Sequence, residues 1–343
     1  LLIVAMENTS LSNSKQVDKP MRTTQDFQAL IDKKIEGFCR KNGDSNILQP
    51  VNYILNLGGK RVRPLLTLMA ADLFSDDIED AVYPAIAIEI FHNFTLMHDD
   101  IMDNAPLRRG HATVHEKWNR DVAILSGDAM LIQAYQLIIK TRPECLGEVM
   151  HIFNKTALEV CEGQQLDMDF QSRSDVTIAE YVEMIRLKTS VLLGGAMKIG
   201  ATIAGASESD SESIYNFAID LGLSFQLWDD YLDAFGDSSK TGKQTGGDIL
   251  ADKKTFLMIR AQEKASSKER ETLSQCAAGT INGQQKITTT LDLFKALGVD
   301  AELQSEVERY YNSALQYLDR IHVAEERKTH IRQLALALHH RQF

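Results

Sequence analysis

Phe91-His92-Asn93-Phe94-Thr95-Leu96-Met97-His98-Asp99-Asp100-Ile101-Met102-Asp103 closes on an acidic word, Asp-Asp-x-x-Asp, and Leu221-Gly222-Leu223-Ser224-Phe225-Gln226-Leu227-Trp228-Asp229-Asp230-Tyr231-Leu232-Asp233 closes on the same one. Each word follows an apolar run, so each belongs to a helix that buries much of its length. Residues four apart share a helix face, which sets Asp99 beside Asp103 and Asp229 beside Asp233. Carboxylate pairs turned toward a buried side are costly unless something cationic binds between them. A single word of this kind reads equally well as an acidic helix end, where Asp is common. Two words, each with basic neighbours, point to a cation held between facing helices. Hard oxygen ligands with no cysteine nearby favour Mg²⁺ over Zn²⁺. Mg²⁺ is usually held by one or two carboxylates together with waters and substrate phosphate, so the pair of words predicts a diphosphate bound through a cluster of Mg²⁺ ions.

Outward from these words the chain reads as helix after helix from residue 25 onward. Phe27, Leu30, Ile31 and Ile35 fall at helical spacing. Pro64 suits the first turn of a helix over 65–74, and a long helix is expected over 81–103, with Pro84 near its start and Pro106 beyond its end. Further helices are expected over 121–140, 152–169, 178–204 and 211–235, and several more over 253–340. No run alternates with period two between turn signals, which excludes a doubly wound sheet. The expectation is an all-α, single-domain helical bundle over 25–343, preceded by a disordered Ser/Asn/Thr-rich leader over 1–24 in which Met6 is a candidate start.

The 343 residues carry a net charge of −11, which argues against a nucleic-acid partner. No apolar run approaches the ~20 residues a bilayer span needs. Cys39, Cys145, Cys161 and Cys276 are far apart and form no CxxC, the pattern of a reducing, cytoplasmic compartment.

A diphosphate also needs direct cationic contacts. Gly58-Gly59-Lys60-Arg61-Val62-Arg63-Pro64 puts three positive charges on a glycine-led loop before a helix, where backbone and helix terminus both favour an anion. Arg108-Arg109-Gly110 follows the first acidic word; such arginines serve either as salt-bridge partners or as bidentate phosphate clamps. Lys188-Thr189 lies in an apolar helix, where a lysine that merely snorkels is the plain reading. Lys243 and Lys253 accompany the glycine-rich stretch Thr241-Gly242-Lys243-Gln244-Thr245-Gly246-Gly247-Asp248, either a flexible connector or a loop that folds over phosphate.

Taken together, GGKRVRP, HDDIMD, RRG, GQQLD, KT, FQLWDDYLD and GGDILADKKT, in that order from about Gly58 to Lys254, resemble the trans-isoprenyl diphosphate synthases, or polyprenyl synthetases. The resemblance implies helices around a deep central cavity, a homodimer, and head-to-tail condensation of isopentenyl diphosphate with an allylic diphosphate. It implies that Asp99, Asp103 and Asp229 bind the Mg²⁺ that bridges to the allylic diphosphate, with Asp100, Asp230 and Asp233 assisting directly or through water. Arg108, Lys188, Lys243 and Lys253 are implied to hold that same diphosphate. Lys60, Arg63, His92 and Arg109 are implied to hold isopentenyl diphosphate. Thr189 and Gln226 would line the reacting centre, with Gln164 and Asp167 close by. One departure is visible: a common family pattern after the second word is Asp-x-x-Glu-Gly-Lys, whereas Asp248-Ile249-Leu250-Ala251-Asp252-Lys253 has alanine at the glutamate position.

In the family a bulky residue at the Phe94 position acts as a floor that limits product length. Phe94 with the small Thr95, and Phe91 one turn earlier, therefore imply a short product, C15 or C20. A class I terpene cyclase is the nearest enzymatic rival, but it needs no second diphosphate site of the kind GGKRVRP and Arg109 offer. A non-catalytic subunit of a heteromeric synthase is the other rival, and it could dispense with one acidic word where this chain keeps both.

Overall fold

The computed structural model describes residues 22–43, 45–236 and 245–339. The expected leader over 1–24 lies, up to residue 21, outside the described residues, as do Lys243 and residues 241–244 of the glycine-rich stretch.

Helix α1 (Thr24–Asn42) starts at a reciprocal cap between Thr23 and Asp26 and buries Phe27, Ile31, Ile35 and Cys39 at four-residue spacing. Helix α2 (Gln49–Asn56) leads into the glycine loop. Helix α3 (Val62–Phe74) is buried from Pro64 to Leu73 apart from Asp72. Helix α4 (Glu79–Met102) begins two residues before the expected start, so Pro84 lies inside it and removes one intrahelical hydrogen bond. Helices α5 (Val114–Lys117), α6 (Arg120–Ile138), α7 (Pro143–Ser172) and α8 (Ile178–Ile185) follow. A π-helical turn (Arg186–Ser190) joins α8 to α9 (Val191–Ile203), and α10 (Glu208–Phe235) carries the second acidic word. The remaining helices are α11 (Gly247–Leu250), α12 (Phe256–Lys264), α13 (Ser267–Ala277), α14 (Gly283–Leu297), α15 (Val299–Asp319) and α16 (Glu325–His339).

The all-α expectation holds. Helix α9 sits at the middle, packed by α3, α7 and α10; α4 packs against α3 and α6, and α15 covers α10. Helices apolar over most of their surface belong in an interior, and α9 is one, buried from Val191 to Ile203 apart from Lys198 and Thr202. Among the described residues no helix is long and apolar enough to cross a membrane.

One small element departs from the all-helical reading. Leu107–Arg108 (β1) pairs antiparallel with His111–Ala112 (β2), closing on Arg109 and Gly110 at φ +52° and +77°. Two positive φ values in a two-residue loop are the type I′ arrangement that suits hairpin twist. Such a short strand pair has too few residues to show alternation, which is why the sequence does not announce it.

The glycine loop is fastened from inside. Arg61, itself at φ +47°, donates from Nη1 to Glu89 Oε1 at 2.6 Å and from Nη2 to the Leu55 carbonyl. Asn93 Nδ2 donates to the same Glu89 oxygen at 2.9 Å. Both charges are buried, so removing one strands the other. Arg61→Ala is expected to lower unfolding free energy by about 3–5 kcal/mol, read by denaturant titration; a loss below about 1 kcal/mol would show the pair to be ornamental.

Candidate active site

The two acidic words close their helices in the same way. Asp100 is buried, and Arg108 grips it from Nε to Oδ2 at 2.8 Å and from Nη2 to Oδ1 at 2.7 Å. Asp230 is also buried and accepts the Tyr181 hydroxyl on Oδ2. Burial, then the neighbouring Asp248 carboxylate, pushes Asp230 up to about 7 against the hydrogen bonds from Tyr181 and Gln226. The second aspartate of each word thus turns inward to a private donor. The first and third, one helical turn apart, stay at the surface of the cleft: Asp99, Asp103, Asp229 and Asp233 are all partly or fully exposed. Asp233 also shapes the next segment, its Oδ2 accepting the Asp248 N–H at 2.9 Å and its carbonyl the Gly246 N–H at 2.7 Å.

The words share one electrostatic neighbourhood. Burial and then Asp99 hold the Asp103 carboxyl above its usual range, with Asp167 adding to the effect and Lys188 and Lys253 opposing it. Lys188 Nζ lies 2.6 Å from Asp167 Oδ2 and 3.3 Å from Asp99 Oδ1. Burial works against the Lys188 charge, but Asp99 and Asp167 outweigh it and leave the ammonium above its ordinary range. Lys253, 3.0 Å from Asp248, behaves alike: burial opposes its charge, and Asp248, Asp167 and Asp103 overcome that. Asp103 comes from the first word and Lys253 from the segment after the second, and Asp167 of α7 acts on both.

Carboxyls crowded until burial and mutual repulsion lift them fit a divalent cation, whose charge reverses that balance. The donors are all hard oxygens, as Mg²⁺ prefers. Among the described residues no three His, Cys, Asp or Glu side chains close on one point as a full cage.

A second cluster is cationic. Arg63 Nη1 lies 3.1 Å from His92 Nε2. Burial, then Arg63 and Arg109, drives His92 well below its usual range, so it is neutral and accepts from Arg63. Burial lowers Arg63 to about 10, with Glu89 offsetting part of the shift and Arg109 adding to it. Burial and then Arg61 lower Arg109, which donates to the Gly58 carbonyl. Cations that oppose one another this closely favour an anion among them. Lys60 is exposed on the same loop. Of the three charges expected on that loop, Arg61 is consumed inside the fold, leaving Lys60 and Arg63.

Between the clusters runs a cavity of about 260 Å³, lined by Arg63 and His92 at one end and by Asp99, Lys188, Thr189 and Gln164 beside it. Thr189 Oγ1 donates to Gln226 Oε1 at 3.3 Å. Lys188 and Thr189 both sit in the π-helical turn, a feature that often marks functional positions. Two glycines grip this turn. A Cβ on Gly163 of α7 would lie 2.3 Å from the Lys188 nitrogen, and one on Gly222 of α10 would lie 2.7 Å from Ser190 Oγ. Phe94 and Thr95 line the cavity. Phe91 does not; it backs Phe94 at 5.5 Å and packs edge-on to Phe153 in the core. His98 was missed by the sequence reading: it lines the cavity, meets Phe94 edge-to-face at 4.7 Å and lies against Gly127 of α6. Ala251, the departure from the family pattern, is exposed, and the turn after it is held by Lys286 on Asp252 at 2.7 Å.

A family model described as polyprenyl synthetase matches residues 44–294. The short chain isoprenyl diphosphate synthase of Methanothermobacter thermautotrophicus is 35% identical over 274 residues, 79% of this chain and 83% of that one. The geranylfarnesyl diphosphate synthase of Natronomonas pharaonis is 37% identical over 230 residues, 62% of this chain and 67% of that one. A crystal structure of geranylgeranyl pyrophosphate synthase superposes with a TM-score of 0.87 at 42% identity, covering 94% of this chain and 100% of that one.

The grip on the π-turn yields a test. Gly163→Ala pushes the Lys188 backbone away from α7, and a displacement near 1 Å in a reacting site can cost about 100-fold in turnover. The expected result is a fall of that order in kcat with the fold retained by circular dichroism; unchanged kcat would mean that the turn's position is immaterial.

Proposed function

The chain belongs to the polyprenyl synthetase family, and from that premise we propose that it condenses isopentenyl diphosphate head-to-tail with an allylic diphosphate, releases diphosphate and makes a C20 product. The observation that carries this reading is one cavity lined both by Asp99 and Lys188 of the acidic cluster and by Arg63 and His92 of the cationic one. One diphosphate site ionises; the second delivers the nucleophile. A cyclase has no use for the second cluster. Of the expected C15 and C20, the C20 product is the one that the geranylgeranyl synthase shares, and the geranylfarnesyl synthase lies one isoprene unit longer.

Asp99, Asp103 and Asp229 are the groups we assign to Mg²⁺, which when bound supplies Lewis-acid neutralisation of the charge that develops on the departing diphosphate. Asp100 and Asp230 hold their words from behind, and Asp233 fixes the loop after its helix. Lys188, Lys253 and the remaining Nη1 edge of Arg108 meet the allylic diphosphate, with Lys243 outside the described residues assigned to the same group. They are in place before charge develops, which is how preorganised donors lower a barrier. Lys60, Arg63, His92 and Arg109 hold isopentenyl diphosphate so that its double bond lies at attacking distance from the allylic carbon. A neutral His92 suits this work, because it adds a hydrogen bond without adding to the crowded positive charge. Thr189 and Gln226, bonded to each other beside the reacting carbons, present oxygen lone pairs toward positive charge there. The apolar cavity wall keeps water from the reacting carbon, and the released diphosphate is the nearest base for the proton lost at the end. Phe94, with Thr95 beside it and Phe91 behind it, is the floor.

We read residues 25–343 as one domain, active as a homodimer. Leu125, Ile132 and Ile139, seven residues apart along α6 and its end, are 56%, 58% and 58% exposed, an apolar seam of the kind helices bury against a partner. The four cysteines are unpaired, which supports a cytoplasmic setting.

Three measurements test these assignments. Asp99→Ala and Asp229→Ala are each expected to reduce kcat/KM by well over tenfold, and chelation of Mg²⁺ to abolish turnover; a loss under about tenfold, roughly 1.4 kcal/mol, would contradict the scheme. Phe94→Ala should lengthen the product on chromatography, and an unchanged length would remove Phe94 as the floor. Ile132→Glu should convert the dimer to monomer by light scattering, whereas an intact dimer would place the interface elsewhere.

A further inference from the structure

A second cavity, of about 450 Å³, lies away from the acidic words, among α1, α4 and α6. That volume falls within the ~300–1,000 Å³ typical of small-molecule sites. Its walls follow from helix periodicity. Lys33, Gly37 and Lys41 form one four-residue stripe on α1, and Lys34 and Phe38 form the next. Helix α4 gives Tyr83 and Ile86, while α6 and its end give Leu137 and Lys140. Phe38, Tyr83, Ile86 and Leu137 thus give an apolar patch, Asn42, Gln133 and Gln136 add amides beside it, and four lysines complete the lining.

Among the described residues no carboxylate comes within ion-pair distance of Lys33, Lys34, Lys41 or Lys140. Lys34 and Lys140 instead lie over the Tyr83 ring, at 5.7 and 4.5 Å from its centre. In a chain of net charge −11, four such cations around one opening are a local reversal of sign. A second observation concerns Gly37. Glycine weakens a helix interior, yet a Cβ at Gly37 would meet nothing within 4 Å. Close packing does not demand glycine there; its absent side chain leaves the cavity wall open.

We propose that this cavity binds a soluble anionic amphiphile, its single hydrocarbon chain against Phe38, Ile86 and Leu137 and its phosphate- or carboxylate-like head among Lys33, Lys34, Lys41 and Lys140. Charge complementarity selects the head and the patch of Phe38, Ile86 and Leu137 selects the tail, so neither part alone is enough. The proposal does not depend on the reaction assigned to the central cavity.

The test uses the full chain, free of divalent metal, titrated calorimetrically with decyl phosphate below its micelle concentration. Inorganic phosphate is the head-only control and decyl maltoside the neutral-head control. The central cavity can take the same probe, so the discriminating readout is the binding step that a remote substitution removes. Gly37→Leu, which fills the opening with a better helix former, should abolish one binding step. Lys33→Gln with Lys41→Gln, on exposed side chains, should weaken that step by about tenfold or more. Both controls should bind at least as weakly as that double variant. Gly37→Leu that folds and binds unchanged would overturn the proposal, as would equal binding of decyl maltoside; if Gly37→Leu fails to fold, the lysine pair decides alone. Binding to phosphatidylglycerol vesicles without binding of monomeric decyl phosphate would also overturn it, in favour of a lipid surface.

Discussion

Arg108 grips Asp100 through two hydrogen bonds inside the protein, and that contact decides which aspartates remain for other work. A buried carboxylate needs a donor that stays with it. Once Asp100 is satisfied from behind, Asp99 and Asp103 keep the cleft side of the same turn. Tyr181 does the corresponding service for Asp230 on α10. The repeated word thus places its aspartates in two ways: an inward anchor at the second and less buried carboxylates at the first and third. With Arg108 turned to the aspartates, Arg109 is turned to the Gly58 carbonyl. Two adjacent arginines therefore face two different partners.

The other fixed points around the cavity follow the same economy. Arg61 is held by Glu89, while Arg63, two residues on, lines the cavity. Neutral His92 takes a bond from Arg63 where a second cation would raise the cost of the cluster. Lys188 is drawn between Asp99 and Asp167, which links the acidic word to α7.

Much of this was legible in the sequence, and the limits are instructive. Helix periodicity gave the all-α fold and placed α4 and α10 within a few residues, because their apolar runs are long. Of the residues the motifs single out, Asp99, Lys188, Arg63 and His92 line one cavity, and Lys253 acts on both Asp103 and Asp230. The inward turn of Asp100 and Asp230 was not legible, since it depends on Arg108 and Tyr181 arriving from other segments. Arg61 looked like its neighbours Lys60 and Arg63; only its pairing with Glu89, across a long sequence separation, separates structural charge from available charge. Phe91 and Phe94 looked alike as floor candidates, and three-dimensional packing alone sends one to the core. His98 gave no local signal, for its position against Gly127 comes from the crossing of α4 and α6.

The π-turn has a consequence for how this chain tolerates change in length. A π-turn holds one residue more than α-helical winding requires. Deleting any residue within 186–190 lets the segment from Ile178 to Ile203 wind as a regular helix, with every side chain on one flank rotated by about 100°. Lys188 and Thr189 would then no longer share their bearing toward Asp167 and Gln226, whatever amino acids occupied those places. At this spot the catalytic arrangement is encoded by a count of residues as much as by their identity, so single-residue deletion here is a harsher event than most replacements.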